Sequence, residues 1–403
     1  MAEQPLLSVA EARTRILASL HSTQTESVPL RHAYGRVLAE EAIARRTQPP
    51  ADLSAMDGYA VKAADAATVP ARLRIVGEVP AGGAYADELK TGEAVRIFTG
   101  AALPRGADAI VIQENTERDG SIVIVKETAT AGRHVRRAGL DFRTGDAGLP
   151  AGQRLSPADI ALAAAMNLAT LQVCKRPVIA FFSTGNELVP PGTEPGPNQI
   201  VSANNDGLAA LILEAGGVPL DLGIAADSEN AIRAATERAR EADMLVTLGG
   251  ASVGDHDLVQ SALVPLGLDI DFWKIAMRPG KPLMYGRLGD KPMLGLPGNP
   301  VSALVCAVLF LKPAIARLQG GDASLRTTLA RLGSALPAND RREDYVRAGF
   351  DHIQGELPVA TPAMIQDSSM LSALSRAGCL IIRPPEAPEA KAGEIVTVLP
   401  LRM

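Results

Sequence analysis

Residues 177–250 read PVIAFFSTGNELVPPGTEPGPNQIVSANNDGLAALILEAGGVPLDLGIAADSENAIRAATERAREADMLVTLGG, and this stretch decides the fold. Three short apolar runs, PVIAFFS, VPLDLGIA and DMLVTL, alternate with NNDGLAALILEAG and SENAIRAATERAREA, whose length suits helices. Strand, loop and helix in repetition predict a parallel sheet with crossover helices. Further on, HDLVQSALVPLG predicts another helix, and DIDFWKIAM, KPLMYGRL and PMLGLPG predict strands. Residues 300–318 then predict one long helix, with Asn299 as its cap and Pro300 at its first position. Residues 176–320 are therefore assigned as one α/β domain.

Outward from this domain the texture changes. Over 49–131, β-like runs such as RLRIVGEV, AVRIFTG and AIVIQEN are punctuated by PAGG and LPRG turns, which predicts a separate β-rich domain. Residues 8–22 predict an amphipathic helix capped by Ser8, and SPADIALAAAMNLATLQV predicts a helix from Ser156 with Pro157 in its first turn, then a strand. Segments 1–48 and 132–175 flank the β-rich domain and are assigned together as a discontinuous N-terminal linking domain. Residues 321–403 return to β-like runs ending in EIVTVLP, a small C-terminal β domain. The expectation is an α/β multidomain protein of four units.

Composition fits this. At 403 residues, two to four domains of about 150 residues each are expected. Hydrophobic residues make up 47% and aromatics only 3%, so aliphatic packing dominates. A net charge of −5 argues against a nucleic-acid partner bound through a broad basic face, but leaves a small anionic ligand open. Three scattered cysteines offer neither a disulfide framework nor a metal site, and five scattered histidines show no zinc spacing. The N-terminus lacks the basic start and apolar core of a secretory signal. The apolar run 301–311 is short of the roughly 18 residues that span a bilayer. A cytoplasmic protein without a membrane partner is expected.

In a doubly wound sheet, ligands sit at the carboxyl ends of the strands. Four loops at such positions carry unusual residues: Gly185-Asn186-Glu187, Asp227-Ser228, Gly249-Gly250-Ala251-Ser252-Val253-Gly254-Asp255-His256-Asp257, and Pro297-Gly298-Asn299-Pro300. The glycines let backbone N–H groups approach an oxyanion, although a Gly-rich loop is also an ordinary tight connection. Glu187, Asp227 and Asp257 are candidate Mg²⁺ ligands, since Mg²⁺ takes one or two carboxylates plus phosphate oxygens. Asp227 or Ser228 can equally cap the next helix, and Asp257 can simply offset a helix dipole. Lys274, Arg278 and Lys281 in FWKIAMRPGKP interrupt two apolar runs and read as anion capture, against solvated side chains as the alternative.

Six ordered motifs resemble one family: SAMDGYAV (54–61), IFTGAALPRGADAIV (97–111), STGNEL (183–188), GGASVGDHD (249–257), RPGKP (278–282) and LPGNPVSA (296–303). Together they resemble MoeA and the gephyrin E domain over nearly the whole chain. The resemblance implies an elongated homodimer of four-domain subunits with a MogA-like pterin-binding domain. It implies insertion of molybdate into adenylated molybdopterin, with Mg²⁺ and release of AMP. A MogA-like adenylyltransferase is the implied partner. Carried over by motif, Glu187, Asp227 and Asp257 lie at the pterin-nucleotide and metal site, with Gly185, Gly249, Gly250, Ser252, Gly254 and the 297–300 loop beside the phosphates. Lys274, Arg278 and Lys281 bind the anionic ligands. Asp57 and Thr99 face the cleft of a second copy, Asp141 matches a family acid, and Ser368 matches a serine of the last domain. The chain departs from the family where GDEL reads Gly185-Asn186-Glu187-Leu188, where Arg278 replaces a lysine, and where Leu258 replaces an aromatic. A non-catalytic scaffold relative and a tungstate-inserting enzyme are the alternatives.

Overall fold

The computed structural model describes residues 6–249 and 258–401. Six strands form the central sheet: β1 Val178–Thr184, β2 Val218–Ala225, β3 Met244–Leu248, β4 Leu268–Trp273, β5 Met284–Leu288 and β6 Lys291–Leu296, in the order β2-β1-β3-β6-β5-β4. The first four in that order run parallel, and β5 is antiparallel to both of its neighbours. The sheet is thus parallel over four strands rather than throughout. Only Gly289-Asp290 separates β5 from β6, and two residues can join antiparallel strands but not make a crossover.

β3 is buried at all five positions because each face meets a separate apolar core. One face packs on the helix Val9–Ala18, capped by Ser8 as the sequence predicts, and on residues 300–318. That core also takes in Tyr345, Leu380 and Leu399 from the C-terminal domain, so the two domains share apolar burial. Burying a side chain such as Phe181 or Phe310 contributes about 1.5–3 kcal/mol.

The helix from Pro300 to Leu318 is long and apolar enough to cross a membrane, longer than the 301–311 run suggests. However, 72% of its most apolar window is buried inside the protein, which makes it a core helix. A π turn over Ala307–Leu311 precedes Pro313. Proline has no N–H to give and its ring crowds the carbonyl four residues back, so the ladder widens there.

Thr25–Pro29 pairs with Thr170–Cys174, and Ser156 and Asp159 close a capping box on the helix Pro157–Ala165. The β-rich domain is a six-stranded mixed sheet between Gly58–Val61 and Ile122–Val125, with apolar cores on both faces. In the C-terminal domain, Glu343–Asp351 pairs with both Val359–Pro362 and Cys379–Arg383, which closes five strands into a small barrel. Met277–Arg278, from the RPGKP segment, adds to that barrel in parallel with Glu343–Asp344.

Candidate functional site

The carboxyl-edge loops are fastened to one another. Asn186 N–H donates to Asp227 Oδ2 and Asp227 N–H donates to Asn186 Oδ1, both at 3.0 Å, which locks the loops after β1 and β2. Asp227 does not cap the next helix. Ser228 does, its Oγ accepting from Ala231 N–H at 3.3 Å. An Asp at 186 could still accept from Asp227 N–H but would set a second carboxylate beside the first, so the neutral Asn suits this latch.

The loops after β3 and β6 come together at Gly249, which is the position that needs glycine, while Gly298 sits in ordinary contact with it. A Cβ on Gly249, whose φ is +88°, would lie 3.1 Å from Thr184 O, and one on Gly298 would lie 3.6 Å from the Cα of Gly249. Asn204 Nδ2 donates to Gly298 O at 2.7 Å and ties this pair to the helix after β1. Glu187 is exposed, with its carboxylate folded back over Gly185: a Cβ there would meet Glu187 Oε2 at 2.6 Å. Gly250, Ser252, Gly254 and Asp257 lie outside the described residues.

Asn299 occupies the capping position, yet its side chain accepts no cap hydrogen bond. Instead Nδ2 donates to Ser368 Oγ at 3.1 Å, while Val301 N–H donates to Ser368 O at 3.1 Å. The helix start is capped by the backbone of a residue from the C-terminal domain, which is why the local signal misled. Ser368 is thereby brought against the 297–300 loop.

Arg278 bridges the domains. Its Nη2 is ion-paired with Asp344 Oδ2, and its Nη1 lies 3.9 Å from Asp340. Both partners belong to the barrel. A cleft of about 320 Å³ opens here, lined by Arg278, Arg347, Arg383 and Asp344 among others. Arg347 is 1% exposed, its Nη2 donates to Asp367 O at 3.2 Å, and its Nε has no partner. Burial pushes the Arg347 guanidinium pKa down. Asp344 Oδ1 and Arg383 Nε are likewise buried without partners. Three guanidinium groups against one carboxylate leave the cleft cationic. Arg347 and Arg383 escape the sequence reading, although an arginine inside the strand EDYVRAGF is a signal. Lys274 has φ +73° and holds its Nζ 3.9 Å from the Trp273 ring centroid, and Lys281 is half-buried on the same loop.

Asp57 and Thr99 meet in the β-rich domain. Asp57 Oδ1 accepts from Thr99 N–H and from Thr99 Oγ, both at 2.8 Å, and the backbone bond leads in holding the Asp57 carboxyl below its usual range. Asp141 is exposed on a turn whose backbone N–H donates to Gln48 O at 3.0 Å.

A second cleft, about 550 Å³, lies beside the rim between β1, β2 and the helix Asn204–Ala215, and includes Gly185, Asn186 and Ala226. No cluster of three or more metal-ligating side chains forms among the described residues. Glu187 and Asp227 are rim carboxylates among the described residues, of the type that could hold Mg²⁺.

Interlocked carboxyl-edge loops and an arginine-lined cleft at the C-terminal barrel mark a multidomain α/β protein. Residues 7–167 match the MoeA N-terminal region (domain I and II), 180–317 a "Probable molybdopterin binding domain", and 329–401 the MoeA C-terminal region (domain IV). The chain is 35% identical to the molybdopterin molybdenumtransferase of Haemophilus influenzae, over 98% of both chains. It is 34% identical to that of Bacillus subtilis, over 98% of this chain and 94% of the relative. A crystal structure of the molybdopterin biosynthesis MoeA protein from Pyrococcus horikoshii superposes with a TM-score of 0.83 at 31% identity, covering 99% of this chain and 100% of that one. The chain belongs to the MoeA family of molybdopterin molybdenumtransferases.

Proposed function

We propose that this protein inserts molybdate into adenylated molybdopterin and releases AMP, a step of molybdenum cofactor biosynthesis. The observation that carries the reading is the junction at Ser368, which is bonded to Asn299 of the rim and whose neighbour Asp367 accepts from Arg347 of the arginine-lined cleft. Such a junction lets an adenylated substrate and a tetrahedral oxyanion lie side by side. Glu187, Asp227 and Asp257 would hold Mg²⁺, which when bound would supply neutralisation of phosphate charge. Arg278 and Arg347 orient molybdate through charge-assisted hydrogen bonds, with Lys274 and Lys281 beside them. Glycine backbones on the rim allow close approach to the phosphates. Positioning and electrostatics drive the step, since no nucleophile is paired with a base among the described residues of the rim.

Asp57 and Thr99 lie on another domain, with their carboxylate and hydroxyl already joined. They complete the site of a second copy, so the active species is a homodimer. Its substrate comes from a MogA-like adenylyltransferase, and three buried free cysteines suit a reducing cytoplasm.

The test is AMP release from adenylated molybdopterin with molybdate and Mg²⁺, run for wild type and Asp227→Asn, with tungstate in a parallel arm. Wild type releases AMP, and the variant, which loses a charged ligand to the metal, slows by about tenfold or more. Wild type binding substrate without releasing AMP makes the protein a scaffold instead. Faster release with tungstate reassigns the metal.

A further inference from the structure

We propose that the cleft between β1, β2 and the helix Asn204–Ala215 holds the pterin ring of the substrate, read by the free carboxylate oxygen of Asp221 and the hydroxyl of Ser202. This rests on the transferase reading and adds which of the substrate's two ring systems enters the cleft. At about 550 Å³ the space suits one bicyclic ring. Leu188, Pro190, Pro191 and Ile224 give it apolar walls for a planar face.

The polar groups are unusually prepared. Pairing of β1 with β2 shifts register between Phe181 and Ser183, so Leu222 and Gly223 form a bulge beside Asp221. Asn205 Nδ2 donates to Asp221 Oδ1 at 2.8 Å and to Gly223 O at 3.3 Å, and Gly223 N–H donates to the same Asp221 oxygen at 2.8 Å. The other end of the Asn205 amide is held by Ser183 Oγ. Two donors therefore fix Oδ1, and among the described residues Oδ2 takes no hydrogen bond. Ser202 lines the same cleft, is only 4% exposed, and its Oγ has no partner. Such a buried hydroxyl costs stability unless a ligand engages it.

An ionised carboxylate only accepts hydrogen bonds. The pterin edge presents two adjacent donors, its 2-amino group and N3–H, whereas adenine alternates an amino donor with the N1 lone pair. The free Asp221 oxygen can accept from both pterin donors but from only one on adenine, whose neighbouring N1 lone pair repels the carboxylate. A ring seated here would send its substituents past Gly185, Asn186 and Ala226 toward the rim, where the phosphates belong.

The experiment titrates the full-length protein separately with 6-hydroxymethylpterin and with AMP, following pterin fluorescence and equilibrium dialysis. Asp221→Asn keeps an oxygen for Gly223 N–H and Asn205 but turns the free acceptor into a donor. It should weaken the pterin by about tenfold or more while leaving AMP affinity and Tm unchanged. Ser202→Ala should weaken the pterin several-fold with Tm held or raised, and both variants should raise KM for adenylated molybdopterin. The proposal is overturned if wild type does not bind the pterin, if the variants leave pterin affinity unchanged, or if AMP affinity falls instead. Absence of AMP release by wild type bears on the transferase reading alone, because pterin binding is read without turnover.

Discussion

Removing Arg278 tests whether the α/β domain and the C-terminal barrel are joined at the site. Its guanidinium is the partner of Asp344, whose side chain is 7% exposed and whose other oxygen already lacks a hydrogen bond. Arg278→Ala would leave that carboxylate buried and alone. Breaking a fully buried pair costs about 3–5 kcal/mol, and an exposed pair about 0.2–1 kcal/mol. Arg278 is itself 49% exposed, so water can partly replace it and the loss should be about 1–3 kcal/mol. For a cooperative unit of roughly 200 residues this lowers Tm by about 2–4 °C per kcal/mol. Arg278→Lys keeps the charge and should lose less than half as much. Differential scanning calorimetry reads both, and a second scan with saturating molybdate reads ligand stabilisation. Molybdate should raise the wild-type Tm, raise that of Arg278→Lys by less, and raise that of Arg278→Ala least. If Arg278→Ala keeps both the wild-type Tm and the molybdate shift, the bridge and its role in oxyanion binding are both refuted.

Gly249→Ala must hold φ at +88° with its Cβ tight against Thr184 O, which costs about 1–2 kcal/mol and spreads the rim; chemical denaturation and substrate affinity should both report the loss. Ser228→Ala should destabilise by about 1 kcal/mol, whereas Asp227→Asn, which keeps an oxygen for Asn186 N–H, should leave stability nearly unchanged; urea midpoints separate cap from latch. Asp340 is held down to about 2 by hydrogen bonds from Arg342, from an unfolded value of 3.8. A depressed carboxyl contributes stability that is complete above the unfolded value and lost as pH falls through the folded one. Acid titration of Tm should therefore show a flatter decline between pH 4 and 2 in Asp340→Asn than in wild type.

Much of the fold was legible because local pattern and tertiary burial agree. MLVTL reads as a central strand since both faces meet apolar layers, and Ser8 and Ser156 cap where they are expected to. What was not legible depended on partners far along the chain. Asn299 looks like a cap by every local rule, but Ser368 supplies the carbonyl from a different domain. Asp227 and Ser228 were equal candidates until Asn186 claimed the first. The short turn at Gly289-Asp290 makes β5 antiparallel although its composition matches that of a parallel strand. At the site, the RPGKP cations were visible as a cluster. Arg347 was not, because it lies about 70 residues further on, in a strand that also carries Glu343 and Asp344, and only barrel closure brings it to the same cleft.

The most direct measurement of the central claim is single-turnover AMP release from adenylated molybdopterin, with and without molybdate, for wild type and Asp257→Ala. Wild type should release close to one AMP per chain in a molybdate-dependent burst, and Asp257→Ala should bind the substrate yet lose the burst. No burst from wild type, or a burst indifferent to both molybdate and Asp257, contradicts the account.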